Sequence, residues 1–344
     1  MSGHKYEELA QQLRLKIRNG TYQTGQRLPS ENELTLLTGY SRQTVRQAMA
    51  MLENEGLTDR IRGSGTYVRS QIPGRKRTYN VAVVTTYIGE YIFPEILRGI
   101  DGVLSSNGYT PLLSATGNRV DRERRMLEEL RQKPIDGLIV EGTKTALPNP
   151  NIDLYAALHE QRIPVVFING FYPELTNPVY VVADDRAGGR LACQRLLGKG
   201  HRRIAGIFKN DDIQGHRRYA GYLQALADAG LPVDDDHVLW YATETRDELI
   251  ASQARRILQD CTAVVCYNDE AAMQLLRTPA AGGVEVVGFD HSTFAQLSAR
   301  PFYSLANPKD ALGRLAAEKL LAMLDGQNVI PAVLPWRDPD AADN

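Results

Sequence analysis

Residues 30–56 read SENELTLLTGYSRQTVRQAMAMLENEG. Two helical patterns flank a break at Thr38-Gly39-Tyr40. In the second, Val45, Ala48, Met49 and Leu52 fall at i, i+3, i+4 and i+7, an apolar stripe suited to burial. The first turn of that helix presents Arg42, Gln43, Thr44 and Arg46 on its other side. Ser30 and Glu33 form a capping box for the first helix, Ser41 caps the second, and Gly56 ends it. Upstream, Tyr6, Leu9, Ala10, Leu13 and Ile17 make another helical stripe, stopped at Asn19-Gly20. Downstream, "LTDRIR" and "TYV" are strand-like runs joined across "GSG", the pattern of a hairpin.

Three helices and a hairpin in this order predict a winged helix-turn-helix. A recognition helix enters the major groove by its N-terminal end, so base-reading residues belong in its first turn. Arg can pair with guanine, Gln with adenine, and Thr can reach a phosphate or a thymine methyl. The positive end of the helix dipole adds attraction for phosphate. Arg62 at the hairpin tip is placed for a minor groove or the backbone, with Gly63 and Gly65 allowing close approach. Glu31 has two readings, an acceptor for cytosine N4 or a partner for the helix dipole. The expected DNA-contact set is Lys5, Glu31, Arg42, Gln43, Thr44, Arg46, Arg62 and Gly63.

The stretch "GQRLPSENELTLLTGYSRQTVRQAMAMLENEGLTDRIRGSGTYV" closely resembles the DNA-binding domain of the gluconate-repressor (GntR) family, over residues 5–68. The resemblance implies DNA contact by Arg42, Thr44 and Arg46, with Gly63 at the wing. Many members carry Arg where this chain has Asn32.

Charge is divided accordingly. The net charge is −1 over 344 residues, yet residues 1–78 hold 13 Lys/Arg against 7 Asp/Glu. A basic head on an acidic remainder points to a polyanion partner for the head alone. No apolar run approaches the length of a membrane span, and the N-terminus lacks the build of a signal peptide. Cys193, Cys261 and Cys266 imply no disulfide framework; they read as core thiols of a cytoplasmic protein. Residues 69–79, within "RSQIPGRKRTYN", carry Pro-Gly and a basic run without apolar periodicity, and read as a linker.

From Asn80 onward, strand-like runs alternate with helical ones. The runs are "VAVVTT", "TPLLSAT", "DGLIV", "PVVFING", "VYVVAD", "RIAGIFK", "AVVCYND" and "VEVVGFD". The helices are expected at about 94–106, 121–132, 151–161, 186–198, 215–229, 246–259 and 308–325. Short strands that are apolar throughout belong to parallel sheets covered on both faces. This many units over residues 80–344 predicts an α/β effector domain of two doubly wound lobes. Ligands of such sheets bind beyond the carboxyl ends of the strands. There stand Tyr87, Tyr91, Phe93, Glu141, Asp184, Asn268, Asp269 and Asp290, with Arg218 in a following helix. Carboxylates, an amide and a guanidinium beside aromatic rings suit a small neutral polyol; Phe171 completes the expected ligand set. Capping explains Asp184 and Asp269 equally well, since both precede helices. No nucleotide loop or nucleophile elbow is present, and the six histidines show no metal-ligand spacing. An enzyme is therefore not expected, nor a cofactor or metal. Clustered carboxylates also disfavour a phosphorylated ligand.

The large domain resembles the sugar-sensing half of the LacI/GalR family, itself similar to periplasmic sugar-binding proteins. The resemblance rests on "DGLIV", "IPVVFING", "GHRRIAGIF", "RRYAGYLQAL", "VCYNDEAAM" and "VVGFDHS". It implies sugar contacts by Glu141, Arg218, Asn268, Asp269 and Asp290. The segment between "AAMQLLRTPAAGG" and "VEVVGFD" is shorter than is usual in that family. A GntR-type head on such a sensor is the build of the arabinose-responsive repressors of Gram-positive bacteria, similar here also in "TTYIGEYIFPEILRGI", "DGLIVEGTKTAL" and "GIFKNDDIQG". This resemblance implies a homodimer on double-stranded operator DNA, released by L-arabinose. A regulator answering another pentose, a hexose or a purine would read much the same.

Overall fold

The structure, a computed structural model, describes residues 5–18, 21–23, 25–61, 64–68, 77–89 and 91–340. It divides into two compact units. One comprises Met1–Thr78 with Lys319–Val329, the other Tyr79–Glu318 with Ile330–Asn344. The sequence placed residues 319–329 in the large domain. In this division they fall with the first unit, in which Arg77 donates to Asp325 at 2.6 Å and to the Leu324 carbonyl at 3.1 Å.

In the first unit, helices α1 (Lys5–Arg18), α2 (Glu31–Thr38) and α3 (Arg42–Asn54) precede strands β1 (Thr58–Ile61) and β2 (Gly65–Val68). The strands pair antiparallel, Thr58 opposite Val68 and Ile61 opposite Gly65. The apolar stripes meet in one core that includes Leu9, Leu13, Ile17, Leu34, Val45, Ala48 and Leu52. Both expected caps are formed. Ser30 and Glu33 bond reciprocally across the start of α2, and the Ser41 hydroxyl accepts from the Thr44 amide at 3.2 Å. Gly39 closes α2 in the left-handed conformation at φ +71°, which a side chain would resist. Arg14 clamps α1 to the end of α3 through Glu55, at 2.9 and 2.6 Å. The result is a winged helix-turn-helix. Asn19, Gly20, Arg62, Gly63 and linker residues 69–76 lie outside the described residues.

The second unit holds two parallel sheets. The first lobe runs β3 (Asn80–Thr85), α4 (Phe93–Ser106), β4 (Thr110–Ala115), α5 (Val120–Leu130), β5 (Gly137–Val140), α6 (Ile152–Glu160), β6 (Val165–Ile168) and β7 (Val179–Ala183). The second continues with α7 (Asp185–Gly198), β8 (Ile204–Lys209), α8 (Ile213–Asp228), β9 (Val238–Tyr241), α9 (Arg246–Ile257), β10 (Ala263–Cys266), α10 (Asp269–Leu276), β11 (Glu285–Asp290), α11 (Thr293–Gln296) and β12 (Tyr303–Ala306). Helix α12 (Lys309–Leu324) then returns to pack on α4, and β13 (Ala332–Leu334) completes the first sheet. Strand orders are β13-β7-β6-β5-β3-β4 and β12-β11-β10-β8-β9. The chain therefore passes between lobes three times, after β7, after β12 and after β13.

All eight expected strands of this unit are present. Strands β9, β12 and β13 and helices α10 and α11 are additions. The compressed segment flagged in the sequence is an eight-residue α10 followed by a single 3-10 turn at Pro279–Ala281. All three cysteines are free and buried, and burial pushes the Cys193 and Cys261 thiols up to about 12 and 11.

Candidate functional site

The carboxyl ends of six parallel strands face one cleft. From the first lobe it is lined by Thr86 and Tyr87 after β3, by Tyr91, Ile92 and Phe93 at the start of α4, and by Glu141 after β5. From the second come Lys209 at the end of β8, Asp212, Gln214 and Arg218 at and in α8, and Thr243 and Arg246 beyond β9. Tyr267, Asn268 and Glu270 follow β10, and Asp290 ends β11. The cavity has a volume of about 220 Å³ and opens to solvent, a concave polar site for one small molecule.

The cleft chemistry is polar and internally balanced. Glu141 is buried and accepts from the Thr86 amide at 2.8 Å, the Thr86 hydroxyl at 2.5 Å and the Asn169 amide at 2.7 Å. Burial pushes its carboxyl up while those three donors oppose the shift. Each lining cation already has a carboxylate. Arg218 holds Asp185 at 2.9 Å, Lys209 holds Asp212, and Arg246 holds Asp247 at 2.8 Å and Glu270 at 3.0 Å. Arg218 is only 2% exposed and its guanidinium also lies over Tyr267, Phe289 and Trp336. Such a set offers many hydroxyl partners and no unpaired cation among its lining residues to neutralise a phosphate.

Asp290 is where the lobes meet. The Tyr91 hydroxyl, from the first lobe, donates to its Oδ2, and the Asn307 side chain donates to its Oδ1 at 3.1 Å. The same hydroxyl accepts from the Asp269 amide at 3.2 Å. Asp290 and His291 both sit at positive φ, +93° and +43°, a strained pair held at the strand end. Other bonds cross between lobes at the rim. Asn118 donates to Thr243 at 2.6 Å, Lys144 pairs with Glu244 at 2.6 Å, and the Ile213 amide donates to Thr145 at 3.1 Å. These bonds tie the two lobes together beside the cavity.

Of the ligand set expected from the sequence, Tyr87, Tyr91, Phe93, Glu141, Arg218, Asn268 and Asp290 come together in the lining. Three residues do not. Asp184 stands where the chain first leaves the first lobe, and its carboxylate caps α7 by accepting from the Ala187 amide at 3.0 Å. Asp269 is buried behind the lining, accepting from the Ser292 amide and hydroxyl and from Ser304 at 2.6–2.8 Å. Phe171 stacks flat on Tyr180, ring centres 4.0 Å apart. Missing from that set were Thr86, Ile92, Lys209, Asp212, Gln214, Thr243, Arg246, Tyr267 and Glu270. Lys209 and Asp212 follow a recognised strand, so the strand-end rule could have found them. Thr243 and Arg246 follow β9, which was not read as a strand.

In the head, α3 buries Val45, Ala48, Met49 and Leu52 and leaves Arg42, Gln43 and Arg46 outward. Thr44 is half-buried beside the Ser41 cap, and Lys5 is exposed at the start of α1. Glu31 faces three arginines, Arg42 at 3.6 Å and Arg46 and Arg60 at 3.2 Å. They hold its carboxyl below the ordinary value.

A winged DNA-binding head and a two-lobed cleft sensor together define a ligand-responsive transcription regulator rather than an enzyme. Residues 5–68 match the gntR family of bacterial regulatory proteins, and residues 78–335 match the periplasmic binding proteins and sugar-binding domains of the LacI family. The chain belongs to the repressors that join a GntR-type head to a LacI-type sensor. It is 40% identical to the arabinose metabolism transcriptional repressor of Geobacillus stearothermophilus, over 94% of this chain and 92% of that one. The protein of the same description from Halalkalibacterium halodurans is 37% identical, over 93% and 89%. Among solved structures, the transcriptional regulator CelR–cellobiose complex superposes with TM-score 0.66 at 25% identity, covering 90% of this chain and 97% of that one. Among the described residues, no helix is long and apolar enough to cross a membrane.

Proposed function

We propose that this regulator is a cytoplasmic homodimer that binds double-stranded operator DNA near arabinose-use genes and lets go when L-arabinose occupies the cleft. Lys5, Glu31, Arg42, Gln43, Thr44, Arg46, Arg62 and Gly63 form the DNA-facing set. Glu141, Arg218, Asn268 and Asp290 take the sugar hydroxyls against Tyr87, Tyr91 and Phe93, with Lys209, Asp212, Arg246 and Glu270 added. The observation carrying the sugar reading is the lining itself: every cation in it is matched by a carboxylate. A neutral ligand with several hydroxyls can bond both kinds of group, each as donor or acceptor. The relatives' descriptions support arabinose over other polyols.

Two heads on one duplex face require half-sites about one helical turn, or a multiple, apart. A coupling of about 1–3 kcal/mol between sugar and DNA weakens operator binding roughly 5–150-fold. The test is operator release titrated with L-arabinose, D-xylose, D-ribose, D-galactose and L-arabinose 5-phosphate. Release by L-arabinose at the lowest concentration supports the proposal, and release by another of them replaces the effector. Asp290→Ala should keep operator binding and lose release; normal release from that variant would overturn the placement of the sugar.

A further inference from the structure

The head carries a cationic cluster that spans two elements. Arg42 and Arg46, from the first two turns of α3, approach Oε2 of Glu31, while Arg60, from β1 of the hairpin, approaches Oε1. The three arginine side chains are 65, 60 and 59% exposed, and the carboxylate they share is 16% exposed. One negative charge therefore sits under three positive ones, whose remaining N–H groups face outward. Long arginines on a surface ordinarily sample many rotamers and lose that freedom on binding. A common acceptor beneath them holds the forks together in advance.

We infer that Arg60 is a DNA-backbone contact extending the recognition-helix surface onto the hairpin, and that Glu31 is the positioning residue that presents Arg42, Arg46 and Arg60 together. This rests on the DNA-binding reading of the head. The partner is a phosphate of the duplex flanking the groove that α3 enters. Guanidinium forks match phosphate oxygens, and a contact of this kind positions the protein without reading sequence. With both carboxylate oxygens engaged by arginine, Glu31 acts through its neighbours rather than as an acceptor for a base.

The experiment measures full-length protein on operator and on scrambled duplex, from 50 to 200 mM salt, for wild type, Arg60→Ala, Arg60→Lys and Glu31→Gln. Loss of one phosphate contact lowers the salt slope by about 0.9, so the wild-type advantage over Arg60→Ala shrinks about 3.5-fold across that range. Arg60→Ala should weaken both duplexes by the same factor, and Arg60→Lys should restore the slope. Glu31→Gln should raise affinity for scrambled DNA and lower the operator-to-scrambled ratio. Arg60→Ala with unchanged affinity and slope, or weakened on operator alone, overturns the backbone contact. Glu31→Gln that loses discrimination at a single base position overturns the positioning role. Wild type that binds neither duplex would instead remove the DNA-binding reading itself.

Discussion

Replacing Glu123, which lies outside the cleft lining, by Leu should destabilise the sensor. Glu123 lies on α5, is fully buried, and collects five donors. Its Oε1 accepts from Tyr155 at 2.8 Å, Tyr172 at 2.6 Å and the Thr143 amide at 3.4 Å. Its Oε2 accepts from Asn149 at 2.9 Å and Asn151 at 2.8 Å. A leucine removes both oxygens and leaves the Tyr155 hydroxyl and the Asn149 side-chain amide without their acceptor. Neither asparagine can turn over to compensate. Asn149 Oδ1 already accepts from the Asn151 amide at 2.8 Å, and Asn151 Nδ2 also donates to the Val120 carbonyl at 3.0 Å. At about 1–3 kcal/mol per orphaned buried donor, the loss is about 4 kcal/mol. For a domain of this size that lowers Tm by roughly 8–16 °C. Calorimetric unfolding of the full-length protein reads the sensor transition directly. The same donors hold the loop after β5, which carries Lys144 and Thr145 to the opposite lobe, so sugar affinity should fall as well. A Tm within about 2 °C of wild type, no more than the smallest cost of one orphaned donor, would refute the idea that this carboxylate is the acceptor these donors depend on.

Two further expectations follow from packing and from charge. A Cβ on Gly189 would stand 2.0 Å from the Arg218 carbonyl oxygen where α7 crosses α8. Gly189→Ala should therefore cost about 3 kcal/mol or more in urea unfolding. Gly198→Ala, which meets open space, should be neutral or stabilising by up to ~1 kcal/mol. Burial, and then the charge of Asp290, pushes Asp269 up to about 7. The folded protein thus keeps a proton that the unfolded chain loses near pH 4. Stability from this group is complete below about pH 4 and is lost as pH rises to about 7. Between pH 5.5 and 7 the loss is of order 2 kcal/mol; Asp269→Asn should flatten it, and an unchanged slope in urea midpoints would count against the assignment.

The head could be read almost completely in advance because its determinants are local. Capping boxes, a left-handed glycine and stripes at helical spacing each act within a few residues, and every described one formed as expected. In the sensor, the strands that were found are, apart from the exposed edge strand β4, continuous apolar runs that are mostly buried. Of those that were missed, β12 and β13 lack that signature, while β9 carries it and was overlooked. Strand β13 is three residues long, with Val333 half-exposed, and becomes a strand because β7 offers it an open edge. Strand β9 follows an acidic turn and gains its place by pairing with β8.

The carboxyl-end rule pointed, from the order of residues alone, to the edge of both sheets where the cleft lies, since parallel strands all point their ends one way. It could not say which strand-end acid turns inward. Asp184, Asp269 and Asp290 all follow apolar strands, yet one caps a helix, one is buried beneath two serines, and one meets Tyr91 across the cleft. That choice depends on what the fold brings within hydrogen-bonding reach from elsewhere in the chain. A carboxylate is oriented by its nearest donors: Asp184 finds its donor three residues on, while those of Asp269 and Asp290 lie 17 to 199 residues away in sequence.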